Sequence, residues 1–118
     1  GALGSFACVH LDDPARRLQV ADLLLAVDGV EAVLPRERAA AELHLPADRV
    51  GDLVVLGDRA TVLGKSPAHH DLSGLDRPLR SHGGLHERTV PLLLNRPVPP
   101  DRLDGAGSHD IFHLLMGR

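Results

Sequence analysis

The sequence predicts an α+β fold: a small sheet with two helices on one face, followed by an irregular tail. Three observations carry this expectation. Residues 5–64 hold short apolar runs of period two, and these alternate with stretches of helical period. Turn residues separate the runs at short intervals. Residues 65–118 instead carry Pro67, Pro78, Pro91, Pro97, Pro99 and Pro100 and little periodicity. Such a stretch gives its backbone polar groups no regular partners, so it needs another surface to lean on. A chain of 118 residues has room for one small domain. The expected division is a compact unit over 5–64 and a linker and tail over 65–118.

Each element has a local cause. Residues 5–11 (SFACVHL) set Phe6, Cys8 and His10 on one side and Ala7, Val9 and Leu11 on the other, as a buried strand does. Asp12 or Asp13 supplies a helix cap, with Pro14 at the first helical position. Residues 16–27 carry Leu18, Ala21, Leu24, Leu25 and Val27 at helical spacing, and Gly29 stops the helix. A second strand follows over 30–34. Pro35 and Arg36 open a second helix, 37–44, and Pro46 ends it. Residues 52–56 (DLVVL) and 60–63 (ATVL) flank Gly57-Asp58, a hairpin signal. The order β-α-β-α-β-β is ferredoxin-like in broad outline. If the first two strands are parallel neighbours, their crossover is right-handed. In the tail, residues 90–94 (VPLLL) read as extended and residues 110–115 as a short helix.

Composition excludes several function classes. Lys and Arg number 13 against 16 Asp and Glu, a net charge of −3 with no basic stripe, so nucleic acid is not an expected partner. Phe6 and Phe112 are the only large aromatics, too few for a stacking platform. A single Cys rules out an internal disulfide and a cysteine-cluster metal site. No apolar run reaches the roughly 18 residues of a membrane span, so no membrane partner is expected. With no secretion signal visible, the expected compartment is cytoplasmic.

The eight histidines carry the chemistry worth weighing, since neutral imidazole is the commonest metal ligand. His10 lies on a strand and His44 at a helix end, where surface or capping roles suffice. His69 and His70 are adjacent, and adjacent side chains seldom converge on one ion. His109 and His113 have the i, i+4 spacing of a zinc helix, with Asp110 between them. They lack a glutamate base next to the first histidine and an evident carboxylate as third ligand, so an amphipathic tail is the expectation there. His82 and His86 share that spacing, but Gly83-Gly84 between them disfavours a helix. Arg80-Ser81-His82-Gly83-Gly84-Leu85 is the best site candidate on chemistry, because the glycines let backbone approach a ligand. A tight structural turn is the other reading of the same residues.

Three blocks then combine: residues 45–56 (LPADRVGDLVVL), 71–75 (DLSGL) and 79–85 (LRSHGGL), the last followed by Val90-Pro91-Leu92. Together they resemble the C-terminal part of the phosphonoacetate hydrolases, a family of the alkaline phosphatase superfamily near the type I phosphodiesterase/nucleotide pyrophosphatase branch. The resemblance runs from about Gly4 to Phe112. It implies a larger metallohydrolase with two zinc ions, a threonine nucleophile, and Asp and His ligands from an N-terminal catalytic region missing here. It also implies a cap inserted late in the catalytic domain, and one last histidine ligand after the cap. Residues 5–64 match the cap subdomain, His82 matches the closing zinc ligand, and residues 76–118 match the return into the catalytic α/β domain. His86 is the nearest spare imidazole. No catalytic residue of the family falls in this chain.

The implied parent reaction cleaves the C–P bond of phosphonoacetate to acetate and phosphate through a phosphoryl-enzyme. The implied partners are the missing catalytic region and a small phosphonate substrate. Alone, the chain is expected to be inactive, to bind zinc weakly or not at all, and to pair as a homodimer through its uncovered tail. Two alternatives stay open. One is a fragment of a related zinc phosphodiesterase or nucleotide pyrophosphatase, which would want apolar walls for a base. The other is a stand-alone α+β interaction or small-ligand module, which would need a self-sufficient core through the C-terminus.

Overall fold

Leu53–Gly57, the central strand β4, has every residue buried. A strand covered on both faces needs such a continuous apolar run, not an alternation. In the computed structural model, β4 lies between β2 (Phe6–Val9) and β3 (Val30–Pro35), and the short β1 (Ala2–Leu3) extends the β2 edge. All pairings are antiparallel, in the order β1-β2-β4-β3. Phe6 stands opposite Leu56 and Cys8 opposite Val54, while Leu34 meets Val54 from the other side. The structure describes residues 2–69, 71, 73–77 and 80–116. His70 of the histidine pair, Leu72 of the DLSGL block and Leu79 of the LRSHGGL block lie outside the described residues, as does Pro78.

The first helix begins as the sequence predicts. The Asp13 carboxylate accepts the Ala15 N–H at 3.0 Å, and Pro14 opens a 3-10 turn that runs into α1 (Arg17–Leu25). The second helix, α2 (Arg36–Leu43), follows β3 without a loop and ends on His44, which adopts a left-handed φ of 54°. The Asp52 carboxylate ties these pieces together, accepting from the Leu11 N–H and the Arg36 guanidinium, both at 2.9 Å.

The α+β class stands, but the helices do not share a face. Leu34, Val54 and Leu56 pack with Phe6, Cys8 and the α2 residues Ala39 and Leu43. Val33, Leu53 and Val55 pack with Ala7, Val9 and the α1 residues Val20, Ala21 and Leu24. Successive strand residues point to opposite faces, so a strand apolar at every position has two faces to cover. One helix covers each. At each site a Leu or Val so buried contributes about 1.5–3 kcal/mol.

Two further expectations are corrected. The first two long strands are parallel, since each is antiparallel to β4, but β4 separates them, so they are not neighbours. The expected hairpin is not formed either. Both edges of β4 are already taken, by β2 and β3, and residues 60–63 find no edge to join. Instead, the Asp58 carboxylate accepts the Ala60 N–H at 2.9 Å, and the chain turns back until the Leu63 N–H reaches the Gly4 carbonyl at 2.8 Å.

Beyond β4 the described residues form short 3-10 turns and one short helix, α3 (Ile111–Met116). The run 90–94 forms no strand, and Val90 and Leu93 are 66% and 92% exposed. The radius of gyration is 17.4 Å, against about 13.5 Å for a compact chain of this length. The tail thus adds length without adding a second core. No helix among the described residues is long and apolar enough to cross a membrane.

Candidate functional site

The β1–β2 turn holds the histidine loop. Gly4 adopts φ +60°, and a Cβ there would run into the His82 carbonyl oxygen. Only glycine meets both demands at once. The next residue, Ser5, is fully buried and donates its N–H to that same carbonyl at 2.7 Å. The Ser5 hydroxyl lies 2.8 Å from the Thr61 carbonyl and 3.0 Å from that of Asp58, one proton between two acceptors. The Ser5 carbonyl accepts the Gly57 N–H at 2.8 Å. One serine thereby ties the end of β4, the turn after it and the backbone at His82.

The loop is fixed on its other side as well. The Ser81 N–H donates to the Arg59 carbonyl at 3.0 Å. Gly83 turns with φ +86°, and its N–H donates to the Glu87 carboxylate at 2.9 Å. Leu85 packs against the α2 side of the core. Nε2 of His86 lies 2.9 Å from the Ser81 carbonyl, which can only accept, so Nε2 carries the donated proton. The backbone of His82 is therefore pinned while the residue itself is exposed. A cleft of about 420 Å³ opens beside the loop, with Arg59, Arg80, Ser81 and Thr89 among its walls.

Local hydrogen bonds set the charges nearby. The Thr61 hydroxyl and the Ala60 N–H hold the Asp58 carboxyl below the usual carboxylate range, and His86 adds a smaller push in the same direction. The Leu11 N–H does the same for Asp52, with Arg36 supporting it.

The other histidines do not join this site. His10 is exposed just beyond β2. His44 caps α2, and its ring meets that of His109 at a centroid distance of 4.6 Å. His109 sits in the 3-10 turn Ser108–Asp110 and His113 in α3, so the zinc-helix spacing is not realised on one helix. His69 pairs through Nδ1 with the Ser66 hydroxyl at 2.8 Å. Among the described residues, no group of three or more His, Cys, Asp or Glu side chains gathers as a metal site would. Ser5 and Arg59 were not singled out by the sequence. Their roles arise from contacts between positions more than fifty and twenty residues apart, respectively.

No family model matches the chain. A stretch of 28 residues, 23% of the chain, is 71% identical to phosphonoacetate hydrolase of Penicillium oxalicum and covers 39% of that protein. The backbone resembles phosphonoacetate hydrolase from Sinorhizobium meliloti 1021, solved in complex with phosphonoformate, with a TM-score of 0.59 and 48% identity over 70% of this chain. The complex of that enzyme with phosphonoacetate gives the same TM-score and identity over 71% of this chain. In both, the match spans 20% of the solved enzyme. This chain is thus similar in backbone to about a fifth of a solved phosphonoacetate hydrolase, and in a 28-residue stretch of sequence to a second one, the family that its motifs resemble.

Proposed function

We propose that this chain is the cap and closing-histidine part of a zinc-dependent phosphonoacetate hydrolase, which converts phosphonoacetate to acetate and phosphate. Residues 5–64 act as the cap, and residues 65–118 link it to the catalytic domain. The observation that carries this reading is the 48% identity, over seven-tenths of the chain, to an enzyme solved with phosphonoacetate. That the match spans only a fifth of that enzyme supports a second part of the proposal: the chain does not work alone.

His82 fits one position of a zinc site. It is exposed, and its backbone is pinned from Ser5 and followed by the Gly83 turn, so it offers one nitrogen donor from a fixed loop. A zinc site takes three or four protein ligands, and the described residues gather no such set. The remaining ligands and the nucleophile are assigned to the rest of the enzyme. When bound, zinc supplies Lewis-acid polarisation of a phosphoryl oxygen and acidifies a hydroxyl or water on it. The work of this chain is positional: Gly4 and Ser5 hold the loop, and His82 presents the donor.

The test is a chimera in which this chain replaces the matching fifth of the Sinorhizobium meliloti enzyme. The chimera is expected to release phosphate from phosphonoacetate, the isolated chain is not, and His82→Ala in the chimera is expected to abolish release. Hydrolysis by the isolated chain, or a chimera indifferent to His82→Ala, would overturn the proposal.

A further inference from the structure

His82 is gripped on both flanks by one short turn. The 3-10 turn Leu85–Glu87 follows Gly83-Gly84, and its two polar side chains reach back past the glycines. Nε2 of His86 donates to the carbonyl of Ser81, the residue before His82, at 2.9 Å. The Glu87 carboxylate accepts the N–H of Gly83, the residue after it, also at 2.9 Å. The turn that carries both side chains is itself held. Leu85 packs against the α2-side core, and the Glu87 N–H donates to the Gly84 carbonyl at 3.2 Å.

Each glycine serves this grip. Gly83 turns at φ +86°, in the left-handed region that favours glycine. Gly84 seats the His86 ring. A Cβ there would stand 2.5 Å from Cε1 and 2.6 Å from Nδ1 of that ring, and 3.0 Å from the Gly57 carbonyl at the end of β4. One nitrogen of His86 is therefore bonded to a carbonyl, and the other lies against the loop's own backbone. A zinc ligand needs an open nitrogen, so His86 supports its neighbour and does not ligate beside it. His86 and Glu87 are both exposed, so neither is there to fill the core. Groups that orient a metal ligand without touching the metal change its affinity about 10–100-fold when removed.

We propose, building on the assignment of His82 to zinc, that His86 and Glu87 are positioning residues: they fix the peptide units on either side of His82 and so aim its imidazole. The test uses the chimera with the Sinorhizobium meliloti enzyme, titrated with zinc against a chelator, as Glu87→Ala, Glu87→Gln, His86→Leu, His86→Gln and His82→Ala. Glutamine keeps an oxygen that can accept from Gly83 in the one case and an N–H that can donate to Ser81 in the other. Zinc at the site that His82→Ala empties should bind about 10–100-fold more weakly in Glu87→Ala and in His86→Leu. Glutamine at either position should restore most of the loss. A second readout needs no metal. In the 118-residue chain in EDTA, the NMR signals of the Gly83 amide and the His82 ring should move in Glu87→Ala and His86→Leu and return in the glutamine variants. Retained dispersion of the other amides shows that the variants are folded. Unchanged zinc affinity in Glu87→Ala and His86→Leu, with zinc lost in His82→Ala, would overturn the positioning role and leave the assignment of His82 standing. Zinc lost in His86→Gln as fully as in His82→Ala would make His86 a ligand and overturn it as well. Zinc unchanged in His82→Ala would sink the assignment of His82 itself, and the positioning role with it.

Discussion

Replacing Gly4 by alanine attacks the contact that holds the histidine loop. At φ +60° an L-residue pays about 1–2 kcal/mol for the left-handed backbone. The new Cβ also meets the His82 carbonyl, so the turn or the loop must shift, and the 2.7 Å hydrogen bond from Ser5 is strained or lost. That bond is worth about 0.5–1.5 kcal/mol. The expected loss is about 2–3 kcal/mol, against the 5–15 kcal/mol typical of a folded domain. The variant should therefore fold. Urea unfolding followed by circular dichroism measures the loss, expected as a fall of about 1–2 M in the midpoint. Gly74→Ala is the control, because a Cβ there meets nothing within 4 Å. NMR should also show displaced signals for the His82 imidazole and the Gly83 amide. A change below about 0.5 kcal/mol with those signals unmoved would refute the idea that the turn holds the loop.

Leu56→Ala, at a side chain 1% exposed in the α2-side core, should cost about 2–5 kcal/mol by the same urea assay. Asp52 gives a pH dependence whose sign follows from its lowered folded pKa. Its contribution is present above the unfolded value of 3.8 and is lost as pH falls through the folded one. Asp52→Asn should therefore destabilise the protein at neutral pH and flatten the acid side of the stability curve, as unfolding midpoints across that range would record. Exposed apolar side chains on α1 (Leu18 at 75%, Leu23 at 62%) and in the tail (Leu93 at 92%) predict self-association at micromolar concentration. Sedimentation should show a dimer; a clean monomer would contradict this.

What the sequence made legible is local. Asp13 and Pro14 mark a helix start by their own chemistry, and the structure uses them so. Residues 52–56 read as a strand, and the structure sets Leu53–Gly57 at the sheet's centre. Pairing was less legible, because which strand takes which edge of β4 depends on the whole set of competitors. Gly57-Asp58 carries a hairpin signal, yet β2 and β3 claim both edges first. The two-faced covering of the sheet is implicit in the lack of alternation at Val54 and Val55, which pack on opposite faces. For the candidate site, the glycines around His82 pointed to a loop whose backbone the structure pins. The residues that fix it, Gly4, Ser5 and Arg59, come from the far end of the chain and from the turn after β4, and no local pattern marks them.

Metal content decides whether His82 presents a zinc donor. The chimera with the Sinorhizobium meliloti enzyme, dialysed against trace zinc, is assayed by mass spectrometry for bound metal before and after His82→Ala. The expected result, on the two-zinc reading, is a pair of zinc ions in the parent chimera and the loss of both one zinc and phosphate release in the variant. Unchanged zinc content and unchanged phosphate release in the variant would contradict the assignment of His82.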